Sequence, residues 1–252
     1  PIGENSRLEL RYTLSQDKLK NVSPDSSAIL HTEEAIGSQI TSSVGYTYSL
    51  DTRKTGLNPK GGYLLRFGQD FAGLGGDLRF VNTSGLALAE TRVLNEDVTL
   101  RAVFEGGAIS MINGDSRVTE RYFGNGKIRG FEGNGLGPRD LNSGNQDALG
   151  GNFYAVARFE ADFPLGFPEE YGLKGGLFLD AGSVWSLDNT QGGPVGGPLA
   201  EVDDGLNLRS SIGVSVFWTT PVGPLRLNLS RALKKEPYDK ERNLDLTISS
   251  EF

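Results

Sequence analysis

One short stretch concentrates residues whose types and spacing could do chemistry. RYFGNGKIRGFEGNGLGPRD, residues 121–140, carries six glycines and four basic side chains. Glycine-rich loops beside cations can cradle phosphates, but Gly124, Gly126 and Gly130 are spaced one residue too widely for the dinucleotide fingerprint. No helix is predicted after them to supply a row of amides, and no Walker-type Gly-Lys-Ser/Thr sequence occurs. The stretch therefore does not predict a nucleotide site.

The other candidate catalytic groups form no recognisable constellation. His31 is the single histidine, in SSAILHTEEAIG, which we interpret as a polar loop. No Gly-x-Ser-x-Gly elbow accompanies it, a metal site built on histidine would lack partners, and there is no cysteine for thiol chemistry. The carboxylate pairs at 169–170 and 203–204 fall in predicted turns or loops, where solvated charge explains them. We expect no enzyme, no metal site and no cofactor.

The composition excludes further classes of function. The chain of 252 residues has 25 basic and 32 acidic side chains, a net charge of -7. Nucleic-acid binding selects a clear basic excess, so we expect no nucleic-acid partner. No run approaches the roughly 20 apolar residues of a membrane-spanning helix. The 35 glycines alternate with aromatic and aliphatic residues, which argues against disorder.

The elements that must position these residues are strands. In NFYAVARFEADFPL, residues 152–165, Phe and Ala alternate with Tyr154, Val156, Arg158, Glu160 and Asp162, so one face is apolar and the other charged. We predict an all-β, antiparallel chain whose segments lie near 6–14, 38–51, 61–71, 77–93, 98–110, 152–164, 172–185, 208–220, 223–233 and 244–252. No segment fits helical spacing better than alternation.

The alternation leaves two architectures open, a soluble sandwich and a membrane barrel. Three features favour the barrel: segments of about 10–14 residues, longer than usual soluble strands; mixed charges on the polar faces; and aromatic residues near segment ends. Short connections alternate with long ones, chiefly 111–151 and 186–207, as in an up-and-down barrel. A barrel turns its apolar face to lipid and its polar face to the lumen.

Two motifs on this framework resemble one family. IRGF, Ile128 to Phe131, followed by GLGPRD, resembles the Val-Arg-Gly-Phe/Tyr motif of the BamA-like outer-membrane assembly factors. FLDAG resembles their Phe-x-Asp-x-Gly pattern, and alternation alone turns Phe178, Asp180 and Gly182 to one face, toward the lumen. Weaker similarity in SLDTRKTGLNPKGG and TTPVGPLRLNLSRALKK extends the resemblance over essentially the whole chain.

The resemblance implies a transmembrane β-barrel of sixteen strands that follows periplasmic POTRA modules. We then expect residues 1–252 to hold about the ten C-terminal strands, with the motif loop 111–151 folded back into the lumen. The POTRA modules and first strands are expected to be absent, and the opening PIGENSRLEL is interpreted as a mature form or a fragment. Whether such a truncated sheet closes is left open.

The resemblance also implies a function, the insertion of β-barrel proteins into the bacterial outer membrane. The implied partners are nascent outer-membrane β-barrel proteins, the lipoproteins of the assembly machinery in the full-length protein, and outer-membrane lipids. No cofactor is implied. A TamA-like barrel, a two-partner secretion transporter and a passive outer-membrane pore are the alternatives.

Particular residues take roles in this interpretation. The motif residues Ile128, Arg129, Gly130 and Phe131 fold into the lumen, where an unpaired buried guanidinium is costly. We predict that Arg129 pairs with Asp180 and fixes the loop, with Phe131 and Phe178 packed nearby; the rival lumen-facing acids are Glu160 and Glu105. The terminal strand LDLTISSEF resembles a barrel recognition signal and would be one half of a weak seam, through Leu244, Leu246, Ile248 and Phe252.

Overall fold

The ten alternating segments form the ten strands of one antiparallel sheet, as predicted. The computed structural model describes residues 2–53, 61–220 and 223–248. The main sheet runs in chain order and contains β1 (Ser6–Lys18), β2 (Ser38–Asp51), β3 (Gly61–Gly76), β4 (Arg79–Val93), β5 (Val98–Asn113), β6 (Phe153–Pro164), β7 (Leu173–Trp185), β10 (Arg209–Thr220), β11 (Gly223–Lys234) and β12 (Leu244–Ile248). Between β7 and β10, a separate two-stranded sheet pairs β8 (Gln191–Gly192) with β9 (Ala200–Glu201).

The two faces of the sheet differ as the alternation predicts. On the face that we call outer, large apolar side chains are exposed, among them Leu10 at 76% and Phe159 at 43%. On the opposite, inner face, Tyr154 and Asp180 are buried under the long loop. An exposed apolar face along ten strands is unfavourable in water, so this sheet needs an apolar medium against its outer face.

Connections of different length emerge at the two rims. The turn rim holds short connections, including 94–97 and 165–172, the second with a 3-10 helix at Glu169–Tyr171, whereas the two-residue connection 77–78 lies at the other rim. The loop rim, at the other ends of the strands, holds 19–37, 114–152, 186–208 and 235–243. The loop 114–152 follows β5 and precedes β6, close to the predicted bounds of 111–151.

A helix in the first loop corrects one prediction. Residues 19–37 contain α1 (Ala28–Ile36), where we expected a polar loop. Ser27 accepts the Ile29 N–H at 3.3 Å, and Gly37 ends the helix at a φ of 82°, a value that favours glycine. The imidazole of His31 lies within hydrogen-bond distance, 2.9 Å, of the Ser23 carbonyl oxygen. In the described part of the chain, no helix is long and apolar enough to cross a membrane.

The edges of the main sheet are β1 and β12. The described part of β12 is short: its five residues pair with Leu225 to Leu229 of β11. Residues 249–252, including the predicted terminal Phe252, lie outside the described residues. In the described ranges β1 and β12 do not pair, so each presents an open edge.

Candidate functional site

The motif loop packs on the inner face around a small apolar core. Ile128 is 2% and Phe131 5% exposed, and they cluster with Leu136, Tyr154, Val156 and Val184 of the loop, β6 and β7. Gly130 has a φ of +92°, and a Cβ there would lie 3.2 Å from the Cβ of Ser211 on β10. Glycine therefore suits this position on two counts, its backbone conformation and its close approach to the wall.

Arg129 is the centre of the contacts between loop and wall. Its Nε and Nη2 donate to the two carboxylate oxygens of Asp180 at 2.7 and 2.5 Å, and its backbone N–H donates to the same carboxylate at 3.0 Å. Nη1 donates to Glu160. The guanidinium also lies 3.7 Å from the ring centroid of Phe178, a cation–π distance. The fork matches the planar carboxylate, which fixes the orientation of the loop as well as its position.

The charge of Arg129 is secured by these partners. Burial by itself lowers the pKa of an arginine, but the hydrogen bonds and charges of Asp180 and Glu160 outweigh it and raise the pKa of Arg129. The guanidinium side chain is 10% exposed and that of Asp180 is fully buried. Removal of Arg129 would therefore leave the buried Asp180 carboxylate without its counter-charge, whereas removal of Asp180 leaves Arg129 with Glu160 alone.

The FLDAG strand presents three residues to the loop, each with a different task. Phe178 lies under the Arg129 guanidinium, and its ring occupies the space beside Gly213, where a Cβ would come within 2.4 Å of the ring. Asp180 supplies the bidentate carboxylate. At Gly182 a Cβ would lie 2.4 Å from the Ala155 carbonyl oxygen of β6. The strand thus combines a ring, an acid and a close approach on one face.

Glu160, predicted as a rival of Asp180, is a second partner of Arg129. Its carboxylate also accepts from Arg101 on β5 at 2.9 Å and from Arg226 on β11 at 2.8 Å. One carboxylate thus joins the motif loop to strands on both sides of β6. The alternation of the sequence places Glu160 on the inner face, but it does not predict that three arginines surround this one carboxylate.

Glu105, the other rival, has different partners. It accepts from Lys127 of the loop at 2.8 Å, from Arg158 at 2.7 Å and from the Tyr154 hydroxyl at 2.8 Å. The Lys127 ammonium also lies 3.8 Å from the Tyr154 ring centroid. Lys127 and Arg129, the residues before and after Ile128, are therefore both bound to acidic side chains of the inner face.

A further buried pair, absent from our predictions, ties the base of the loop to α1. Arg121 donates to Glu33, to the Leu149 carbonyl at 2.9 Å and to the Ser116 carbonyl at 3.0 Å. Burial lowers the pKa of Arg121 to about 10, which leaves it charged at neutral pH. The capping residues Ser27 and Gly37 are the sequence signals that could have revealed the helix carrying Glu33.

The hydroxyl of Tyr122 supports the same end of the loop. It donates to Asn82 of β4, and its ring packs against Tyr154 with centroids 4.6 Å apart. Burial raises the pKa of Tyr122 to about 12, so the hydroxyl keeps its proton at physiological pH. The tyrosine thus serves as a hydrogen-bond donor and as an apolar surface.

The predicted seam strand lies at the open edge. Leu244 and Leu246 are exposed on the outer face, at 59% and 65%, and Ile248 pairs through its backbone with Leu225. Within the described residues, no group of three or more His, Cys, Asp or Glu is arranged to hold a metal ion. The site is a network of ion pairs beside an edge strand.

Comparisons with known proteins agree with this architecture. The family model described as the Omp85 superfamily domain matches residues 1–252. The outer membrane protein assembly factor BamA of Neorickettsia risticii is 33% identical over 252 residues, 100% of this chain and 32% of that protein. A sorting and assembly machinery component 50 homolog of Xenopus tropicalis is 32% identical over 169 residues, 63% of this chain and 35% of that protein.

A solved structure shares the fold. The crystal structure of BamA from Haemophilus ducreyi lacking POTRA domains 1-3 superposes with a TM-score of 0.77 at 18% identity, covering 98% of this chain and 51% of that one. The chain thus spans about a third of these curated relatives and about half of the solved chain. The chain is a protein of the bacterial outer membrane, and its sheet has the fold of a BamA-like barrel. With the family model matched from first residue to last, the chain belongs to the Omp85 superfamily.

Proposed function

We propose that the chain is part of an insertase that folds nascent β-barrel proteins and inserts them into the bacterial outer membrane. The observation that carries this proposal is the docked motif loop, which has its own buried core and is fixed to the wall by a bidentate ion pair. A passive pore needs no loop fixed by so many desolvated contacts. The name of the Neorickettsia relative, an outer membrane protein assembly factor, supports the proposal.

The proposed work is physical and involves no covalent chemistry, so we also propose that the chain is not an enzyme. An edge strand can template an incoming strand through backbone hydrogen bonds. β12 is one half of this seam, and we propose that its contact with β11, described over the five residues Leu225 to Leu229, is weak. A weak contact at the edge costs little to open.

The length of the strands sets the thickness of the apolar belt that faces the bilayer in this proposal. The strands from β6 to β11 in the main sheet have 12 or 13 described residues, against 16 in β5. At about 3.3 Å per residue, four residues fewer shorten a strand by roughly 13 Å along its own direction. A shorter apolar belt thins the bilayer locally, which would lower the barrier to insertion there.

The motif loop, in this proposal, holds the inner wall in one arrangement while the seam opens. Arg129, Asp180 and Glu160 fix the loop to β6 and β7, and the loop in turn covers the lumen beside β10 and β11. The proposed partners are nascent outer-membrane β-barrel proteins, lipoproteins of the assembly machinery and the lipids of the outer membrane.

The full-length protein reconstituted in lipid vesicles tests the function. We expect it to accelerate the folding of an unfolded β-barrel substrate, followed by the mobility shift of the folded form on unheated gels. Arg129→Met should reduce this acceleration at least tenfold. Arg53→Met removes a matched bidentate pair with Asp51 at the turn rim, at 3.0 and 2.9 Å, and should leave it unchanged. Ion conductance without accelerated folding would favour the passive pore instead.

A further inference from the structure

The connection that leads into the seam strand leaves the sheet. β11 extends to Lys234, but in the described residues β12 pairs with it only as far as Leu229. The last backbone contact along this edge is the Ser230 N–H, which donates to the Asn243 carbonyl at 2.8 Å. We call residues 235–243 the seam entry, since the chain passes through them into β12.

The seam entry pairs with the motif loop instead of with β11. Glu132 N–H donates to the Lys240 carbonyl at 2.9 Å, and Lys240 N–H donates to the Gly135 carbonyl at 2.8 Å. Arg242 N–H donates to the Gly130 carbonyl at 3.0 Å, which places Phe131 opposite Glu241 in an antiparallel bridge. The backbone of the motif itself is therefore hydrogen-bonded to the chain one residue before Asn243.

A buried ion pair holds the seam entry from the other side. Arg209, the first residue of β10, donates from Nε and Nη2 to the two carboxylate oxygens of Asp239 at 2.9 and 3.1 Å. The side chains are 1% and 0% exposed. The same carboxylate accepts the Glu236 N–H at 2.8 Å, which closes the turn, and Arg209 Nη1 donates to the Asn207 carbonyl at 2.7 Å. This pair is as fully desolvated as the pair of Arg129 with Asp180.

We propose that Arg209 is a positioning residue that couples the motif loop to the seam strand. By fixing Asp239, it holds the seam entry against the motif loop, away from the free edge of β11. The position at which β12 begins then depends on the loop. When the loop is docked, β12 begins at Leu244, opposite Leu229 of β11. When the loop is released, the seam entry is free to move. The inference rests on the proposed function only in treating β12 as one half of the seam.

A disulfide measures the pairing directly in the full-length protein. Because these 252 residues contain no cysteine, Glu132→Cys with Lys240→Cys introduces one pair into this part of the protein, at opposed positions of the bridge. In this background we expect Arg209→Met to slow oxidative cross-linking at least tenfold, Arg209→Lys to restore part of the rate, and Arg53→Met, at the distant Asp51 pair, to leave it unchanged. Asp239→Asn, which keeps the shape of the turn, covers the case in which Arg209→Met fails to fold.

The seam strand supplies the second readout, without the cysteines. We expect Arg209→Met and Arg129→Met each to increase amide hydrogen exchange in residues 244–248 at least tenfold, whereas Arg53→Met leaves it unchanged. Cross-linking at the unsubstituted rate in Arg209→Met and Asp239→Asn, or unchanged exchange in β12, would overturn the coupling. Neither readout depends on substrate folding, so a protein that fails to accelerate folding overturns the proposed function without deciding this inference.

Discussion

The pairing of Arg129 with Asp180 can be tested by a double-mutant cycle whose substitutions introduce no new charged side chain. Charge reversal is a poor test here, because an acid at position 129 would lie beside Glu160 as well. The neutral substitutions Arg129→Met and Asp180→Asn avoid this problem. Glu160 keeps Arg101 and Arg226 in every variant, so the cycle isolates the contact between loop and β7.

The expected magnitudes follow from burial. Arg129→Met leaves the fully buried Asp180 carboxylate with only a backbone N–H, and breaking a buried pair in this way costs about 3–5 kcal/mol. Asp180→Asn keeps the shape and a neutral hydrogen bond, and should cost about 1.5–3 kcal/mol. The double variant has no unpaired acid at position 180, so it should cost clearly less than the sum of the two.

The release of the loop can be read from the reactivity of one thiol. Ser211 is fully buried beneath Gly130, and among the described residues its hydroxyl has no hydrogen-bond partner, so Ser211→Cys introduces a reporter at little cost. At about 1.4 kcal/mol for each factor of ten, the cost of about 3–5 kcal/mol for Arg129→Met should accelerate labelling roughly 10²- to 4 × 10³-fold. Asp180→Asn should accelerate it about 10- to 10²-fold. Arg53→Met, at the turn rim, should not change the labelling rate.

The cycle has a result that would refute the reasoning. If the acceleration in the double variant equals the product of the two single accelerations, Arg129 and Asp180 contribute independently and no pair exists between them. Labelling that is equally slow in all variants would show that the ion pair does not hold the loop at all.

Three other substitutions test the surroundings of the site. Glu160→Gln leaves three guanidiniums around one neutral amide and should lower the free energy of unfolding in vesicles by about 3 kcal/mol; a loss below about 1 kcal/mol by urea titration would contradict its linking role. Gly213→Ala places a Cβ 2.4 Å from the Phe178 ring and should speed loop release in the labelling assay, whereas Gly85→Ala, which meets nothing within 4 Å, should not. Glu33→Gln should expose residues 19–37 to protease at least tenfold faster, and unchanged cleavage would show that this acid does not hold α1.

The strands could be predicted from the sequence because two media act on the two faces of the sheet. Lipid against one face and a polar interior against the other impose strict alternation, and the bounds of β6 and β7 were predicted to within one residue. The same alternation turns Asp180 inward without reference to any family. Side chains alternate between the two faces along every strand, so the face of each residue can be predicted from its own segment of the sequence.

The contacts among the loops could not be predicted in the same way. Glu33 and Arg121 are 88 residues apart, and Arg209 and Asp239 are 30 apart. Their meeting depends on how two irregular segments fold over the inner face, for which no periodic pattern exists. The helix α1 has only nine residues, so the caps Ser27 and Gly37 are the stronger sequence signal for it.

The inner wall around the motif loop is also electrically balanced. The ion pairs that meet there join five cations (Lys127, Arg101, Arg129, Arg158 and Arg226) to five acids (Glu90, Glu105, Glu160, Asp162 and Asp180), a sum of zero. A neutral cluster produces a field that falls off quickly with distance. A polypeptide segment moving past this wall would meet no long-range repulsion or attraction, whatever its own sign of charge. Under the proposed function, such indifference would suit an interior beside which segments of many compositions fold.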